Sequence, residues 1–235
     1  MERRKELIQR NIDRFRDRLA NACENAGRSA DDVRVIAVTK YVDEYIAALL
    51  PECGLHDLGE NRAQNLRSKA TAIGDKARWH MIGHLQRNKA RMVLESAHEI
   101  HSVDSVRLVR RLQLDAENLD TNVPVMLEVN VSGEESKYGF TADGVAKGVE
   151  AVLETAPRLH LTGLMTMAPY VSDPESVRPV FVKLRQLRDS LREKFMLSEK
   201  KFFRLSMGMS ADFEVAVQEG ATDVRVGSVL FEGLL

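Results

Sequence analysis

The chain has little of what marks several protein classes. Its two cysteines, Cys23 and Cys53, sit in no metal-like spacing and read as free thiols of a reducing cytoplasm. Aromatic residues make up only 6%, too few to build a stacking platform for single-stranded nucleic acid. Neither sign of charge is in excess: 34 basic residues face 35 acidic ones, a formal net charge of -1. No overall field therefore favours nucleic acid or an anionic membrane. No apolar run approaches the ~20 residues that cross a bilayer. The start, "MERRKELIQRNIDRF", is charged and lacks the apolar centre of a signal peptide. Internal linkers, low-complexity segments and repeats are also missing, so residues 1–235 read as one domain.

What is present is alternation. Apolar runs recur at Val33–Lys40, Leu55–Asn61, Ala77–His84, Glu99–Asp104, Val123–Val131, His160–Met167, Phe202–Met209 and Asp223–Phe231. Amphipathic stretches separate them. In one, Val177, Phe181, Leu184, Leu187 and Leu191 share a face; in another, Val106, Val109 and Leu112 do. Strand–helix alternation implies a parallel sheet, and eight such units in a chain of this length are the size of a (β/α)8 barrel. A doubly wound open sheet is the rival. The last strand leaves no sequence for an eighth outer helix. An extra N-terminal helix, about Glu2–Ala26, is expected to fill that gap.

Barrel sites lie at the C-terminal strand ends, with phosphate bound by the loops after strands seven and eight. Here those loops are "SMGMS" (Ser206–Ser210) and "RVGS" (Arg225–Ser228). Ser206, Ser210 and Ser228 can donate hydroxyls to an anion, and Gly208 and Gly227 let a ligand approach the backbone. A helix opening near Ala211 would add free N–H groups. Arg225 lies about 6.6 Å below Gly227 along the strand and should point into the barrel. Such a buried cation needs an acceptor, for which Asp223, Glu128 and Asp104 are the candidates. Lys40 ends the first apolar run. An amine there, buried near cations that lower its pKa, is placed for a Schiff base, and a phosphorylated aldehyde would satisfy both ends. His80 and His84 would be about 13 Å apart on a strand, too far for one metal, so no metal site is expected.

These motifs are recognisable together. "VIAVTKYV", "GENRAQN", "WHMIGHLQRNKAR", "HSVDS", "VNVSGEESKYGF", "GLMTMAP" and "RLSMGMSADFEVAVQEGATDVRVGS" resemble the pyridoxal phosphate homeostasis protein family, which is similar to the barrel domain of alanine racemase. The resemblance implies pyridoxal 5′-phosphate on Lys40 as a Schiff base. Ser206, Ser210, Gly227 and Ser228 would hold the phosphate, Arg225 would face the pyridine nitrogen or the phosphate, and Asn61 would line the pocket near the ring. It also implies a cytoplasmic, monomeric holder of the cofactor that serves apo-enzymes and has little turnover. The alternatives are an amino-acid racemase, which needs a second acid/base on the opposite face, and a sugar-phosphate barrel enzyme.

Overall fold

The computed structural model describes residues 2–134 and 137–234. Eight parallel strands form its centre: β1 (Arg34–Val38), β2 (Asp57–Glu60), β3 (Arg78–Met81), β4 (Glu99–Val103), β5 (Val123–Asn130), β6 (Leu159–Met165), β7 (Arg204–Met209) and β8 (Asp223–Val226). Each pairs with the next, and β8 pairs back to β1 through Ile36↔Arg225 and Ala37↔Val226. The sheet is therefore a closed barrel. A two-residue strand, Phe140–Thr141, is appended to β5. The helices are α1 (Glu2–Asn25), α2 (Glu44–Ala47), α3 (Leu49–Glu52), α4 (Ala63–Ile73), α5 (Ala90–Leu94), α6 (Val106–Asn118), α7 (Val145–Thr155), α8 (Arg178–Lys194) and α9 (Phe213–Gln218).

The N-terminal helix does close the ring. α1 buries Ile8, Ile12, Phe15 and Leu19 at helical spacing. Phe15 meets Phe213 of α9 with ring centroids 4.9 Å apart. Arg18 holds Glu214 through two bonds of 2.9 and 3.0 Å. Buried Asn11 donates to the carbonyls of Leu230 (3.1 Å) and Glu232 (3.0 Å), tying α1 to the turn after β8.

Alternation along the strands divides the interior. Ala37, Leu58, Leu127 and Leu164 face the helices in the main apolar core. Their neighbours Ile36, Gly59, Met126, Glu128 and Met165 face the barrel axis. The barrel floor is ionic. Arg34 bonds Asp223 (2.6 Å) and Glu99 (2.5 Å), and Arg204 bonds the same two carboxylates. Opposite charges satisfy one another there, which permits Asp223 and Glu99 to be buried.

Gly163 on β6 sets how closely β7 approaches. A Cβ at that position would stand 2.0 Å from the Arg204 carbonyl oxygen, and that backbone cannot rotate away. Gly163→Ala is expected to destabilise the fold by at least ~1–3 kcal/mol, the usual cost of overpacking. Thermal unfolding checks this, and an unchanged midpoint would contradict it.

Candidate functional site

The chain leaves β1 at Val38, two residues before Lys40. Thr39 is fully buried on the helix-facing side, in line with Ala37. Its N–H donates to Gly59 O (2.9 Å) and its hydroxyl to Glu60 Oε1 (2.9 Å). Lys69, on α4, reaches both: its Nζ donates to Thr39 O at 2.8 Å and to Glu60 Oε1 at 2.5 Å. The other Glu60 oxygen accepts from Asn61 N–H at 3.2 Å. One buried ion pair thus clamps the ends of β1 and β2. Lys40 emerges from the clamp exposed, its amine 4.9 Å over the Tyr41 ring. This corrects the expected burial of Lys40: the buried position at this strand end is Thr39, on the helix-facing side with Ala37, while Lys40 lies open at the rim. Asn61 is half-buried on the adjoining rim, and Gly83 lies against its backbone, where a Cβ would stand 2.5 Å from Asn61 O.

The rim continues on the other side of β1. Gly227, after β8, packs on Val38, and a Cβ there would stand 3.0 Å from the Val38 carbonyl oxygen. Gly227 N–H donates to Ser210 Oγ at 3.1 Å, which leaves the serine's own proton free to point elsewhere. Ser228 is exposed and opens a short 3-10 turn, Ser228–Leu230. The N–H groups of Ser228 and Val229 are the unpaired first donors of that turn among the described residues. Lys40, Ser210, Gly227 and Ser228 therefore share one arc of the rim, because β7, β8 and β1 are consecutive.

Two expected rim residues are elsewhere. Ser206 is fully buried inside the barrel, its hydroxyl bonded to His101 and Arg225. The register shift between Ser206 and Met209 separates it from Ser210. Gly208 has φ +93° and faces α9, where a Cβ would stand 2.6 Å from Ala216 Cβ. On that side it serves helix packing. α9 opens at Phe213, two residues past Ala211, and the carboxylate of its N-cap residue Asp212 accepts from Met209 N–H at 2.5 Å.

Arg225 points into the barrel below Gly227 and is almost wholly buried. Its Nη1 donates to Ser206 Oγ (2.7 Å) and its Nη2 to Thr166 O (2.8 Å). Among the described residues no carboxylate pairs with it directly, contrary to the expected ion pair. Burial pulls its pKa down, and Asp212, Glu128 and Asp223 act against that pull from a distance.

Below Arg225 lies a connected line that sequence reading did not find. Ser206 Oγ is 2.9 Å from His101 Nδ1, His101 Nε2 is 3.1 Å from His80 Nδ1, and His80 Nε2 is 2.9 Å from Asp57 Oδ1. Burial pushes both imidazoles down, His80 to about 4, so both are neutral near pH 7. Burial works against ionised Asp57, but bonds from His80 and Arg78 outweigh it and hold the carboxylate well below its usual range. One assignment then satisfies every atom: Arg225 donates to Ser206, Ser206 to His101, His101 to His80, and His80 to Asp57. His80, Glu99 and His101 also converge as metal ligands do. However, the two imidazoles are spent on each other, and Glu99 already holds Arg34 and Arg204. A dication would have to displace both guanidiniums.

Across the mouth, His84 Nδ1 lies 2.9 Å from Asp104 Oδ2, and its ring stacks on Tyr138 at 3.7 Å.

A family profile described as alanine racemase, N-terminal domain, matches residues 10–234. A pyridoxal phosphate homeostasis protein of Aquifex aeolicus is 40% identical over 94% of this chain and 95% of its own. Another, from Pseudomonas aeruginosa, is 36% identical over 95% and 94%. This chain belongs to the pyridoxal phosphate homeostasis protein family. Among solved structures, PipY of Synechococcus elongatus with pyridoxal phosphate bound superposes with a TM-score of 0.79 at 30% identity, covering 92% of this chain and 99% of that one. A protein from Bifidobacterium adolescentis gives 0.91 at 34% identity, covering 98% and 97%. Outside the family, alanine racemase of Clostridium difficile shares the barrel fold, with a TM-score of 0.71 at 15% identity over 93% of this chain and 56% of the racemase.

Proposed function

We propose that this chain binds pyridoxal 5′-phosphate at the barrel mouth and holds it for delivery to cytoplasmic apo-enzymes, with little turnover of its own. Lys40 supplies the amine that bonds the aldehyde carbon. Ser210, Ser228 and the free N–H groups of the Ser228–Leu230 turn hold the phosphate, and Asn61 flanks the ring. Arg225 lies beneath, with Ser206 acting through it. When bound, the cofactor supplies an aldehyde and a ring that draws electrons from attached carbon. The names of the relatives support holding over turnover. So does the PipY structure, for the ligand. Among the described residues no helix is long and apolar enough to cross a membrane, and both cysteines are free thiols.

The observation that carries this reading is the single arc of rim shared by an exposed lysine, two serine hydroxyls and unpaired backbone donors. Those groups fit a phosphate at one end and an aldehyde at the other. Bonds to a charged group are worth about 1.5–3 kcal/mol each. Pyridoxal, which lacks the phosphate, is therefore expected to bind at least about tenfold more weakly than its 5′-phosphate. Ser210→Ala should narrow that gap, since the backbone donors remain. Titration of the apo-protein with each aldehyde, followed by absorbance, measures both. Equal affinities would show that the two loops are only turns.

A further inference from the structure

One buried acid at the mouth has no structural use. Glu128 lies on β5 between Leu127 and Val129, which pack in the outer core, so its side chain faces the barrel axis. It is 2% exposed, and its Oε2 has no hydrogen-bond partner among the described residues. The neighbouring strands offer it nothing. From the end of β4 comes Asp104, a like charge already held by His84. After β6 comes Thr166, whose hydroxyl is spent on Val129 O and whose carbonyl is spent on Arg225. From β8 comes Arg225, whose bonds go to Ser206 and Thr166. Deeper in the barrel, Glu99 and His101 are occupied with the floor and with each other's neighbours.

An orphaned, desolvated carboxylate is unfavourable, and the protonated acid is the state that burial permits. Burial and Asp104 push Glu128 up to about 7, with Arg225 opposing them. A neutral carboxyl carries one O–H donor, which a carboxylate lacks.

We infer that Glu128 is a ligand-facing residue of this site, whose neutral carboxyl donates a hydrogen bond to an acceptor atom on the ring of the bound cofactor. The inference rests on reading the mouth as the pyridoxal phosphate site. It ties binding to one proton. The sign follows from the raised pKa: the donor is present below about pH 7 and is lost above it. Ionised Glu128 also sets a second negative charge beside Asp104, facing a ligand that already carries an anionic phosphate.

The test uses full-length apo-protein and pyridoxine 5′-phosphate, whose alcohol replaces the aldehyde and silences Lys40. Its affinity is measured by calorimetry from about pH 6 to about pH 8, for the wild type and for Glu128→Gln. The amide is a neutral donor at every pH. The wild type is expected to lose about tenfold in affinity relative to the variant, the change in the neutral fraction of a group titrating near the middle of that range. Parallel profiles would overturn the inference. Failure of pyridoxine 5′-phosphate to bind either protein at any pH would instead remove the site reading, and the inference with it. If Glu128→Gln does not fold, carbon-13 resonances of the wild-type carboxyl replace it. A Glu128 midpoint near neutrality that rises further with ligand supports the assignment, and a midpoint in the ordinary carboxylate range ends it.

Discussion

Replacing Lys40 with alanine is expected to abolish covalent capture of pyridoxal 5′-phosphate while leaving the barrel folded. The stability side follows from exposure: Lys40 is exposed, its amine over the ring of its neighbour Tyr41, and surface changes of that kind usually stay within about 0.5 kcal/mol. The chemical side follows from availability. An amine attacks an aldehyde carbon only with its lone pair free and a path to the ligand. Lys69 has neither, since its Nζ is buried between Glu60 and Thr39. Lys137 is paired with Glu134 at 2.7 Å. Borohydride reduction of the loaded protein followed by peptide mapping decides the matter. The label should sit on Lys40, and the Lys40→Ala protein should show no visible band, though phosphate-anchored binding persists at lower affinity. A label on Lys137 with Lys40 untouched would move the site to the β5 side of the mouth.

The strands were legible because each carries apolar residues on a face that helices must cover, β-branched in β1, β5 and β8. Glu99–Val103 was the exception, half polar on paper yet buried along its length. Its Glu99 and His101 face the barrel axis, where Arg34, Arg204, His80 and Ser206 satisfy them. Period-two alternation reports which residues share a face, but not which strands face one another across an interior. For that reason the line from Arg225 to Asp57 could not be read: His101 and Ser206 meet across 105 residues of chain. Ser206 was misplaced for a related reason. Four residues of sequence suggested one loop with Ser210, whereas the register shift in β7 puts one serine on the axis and the other on the rim. The Glu60–Lys69 clamp did leave a trace. Ala63, Leu66, Lys69 and Ile73 form the buried stripe of α4, and a lysine on an apolar stripe needs a buried acid.

That clamp should be the most sensitive point outside the apolar core. Lys69→Ala strands Glu60, which is fully buried and then has, among the described residues, only the Thr39 hydroxyl and the Asn61 N–H to hold its charge. Breaking a buried pair from one side typically costs about 3–5 kcal/mol. Against a total stability of roughly 5–15 kcal/mol, that is a large fraction. For a chain of this size it corresponds to a fall in Tm of about 10 °C, at roughly 2–4 °C per kcal/mol. Replacing both partners, Glu60→Gln with Lys69→Met, removes the stranded charge, and most of the lost stability should return. Cofactor capture should not return with it. The Thr39 carbonyl still lacks the ammonium that fixes the turn into Lys40, so the amine samples more positions and captures the aldehyde several-fold less well. Thermal melts and absorbance titrations on the same three proteins separate the two effects. A Lys69→Ala protein that melts with the wild type would show that the pair carries no load. A double variant that regains both stability and capture would show that the clamp serves the fold alone and does not position Lys40.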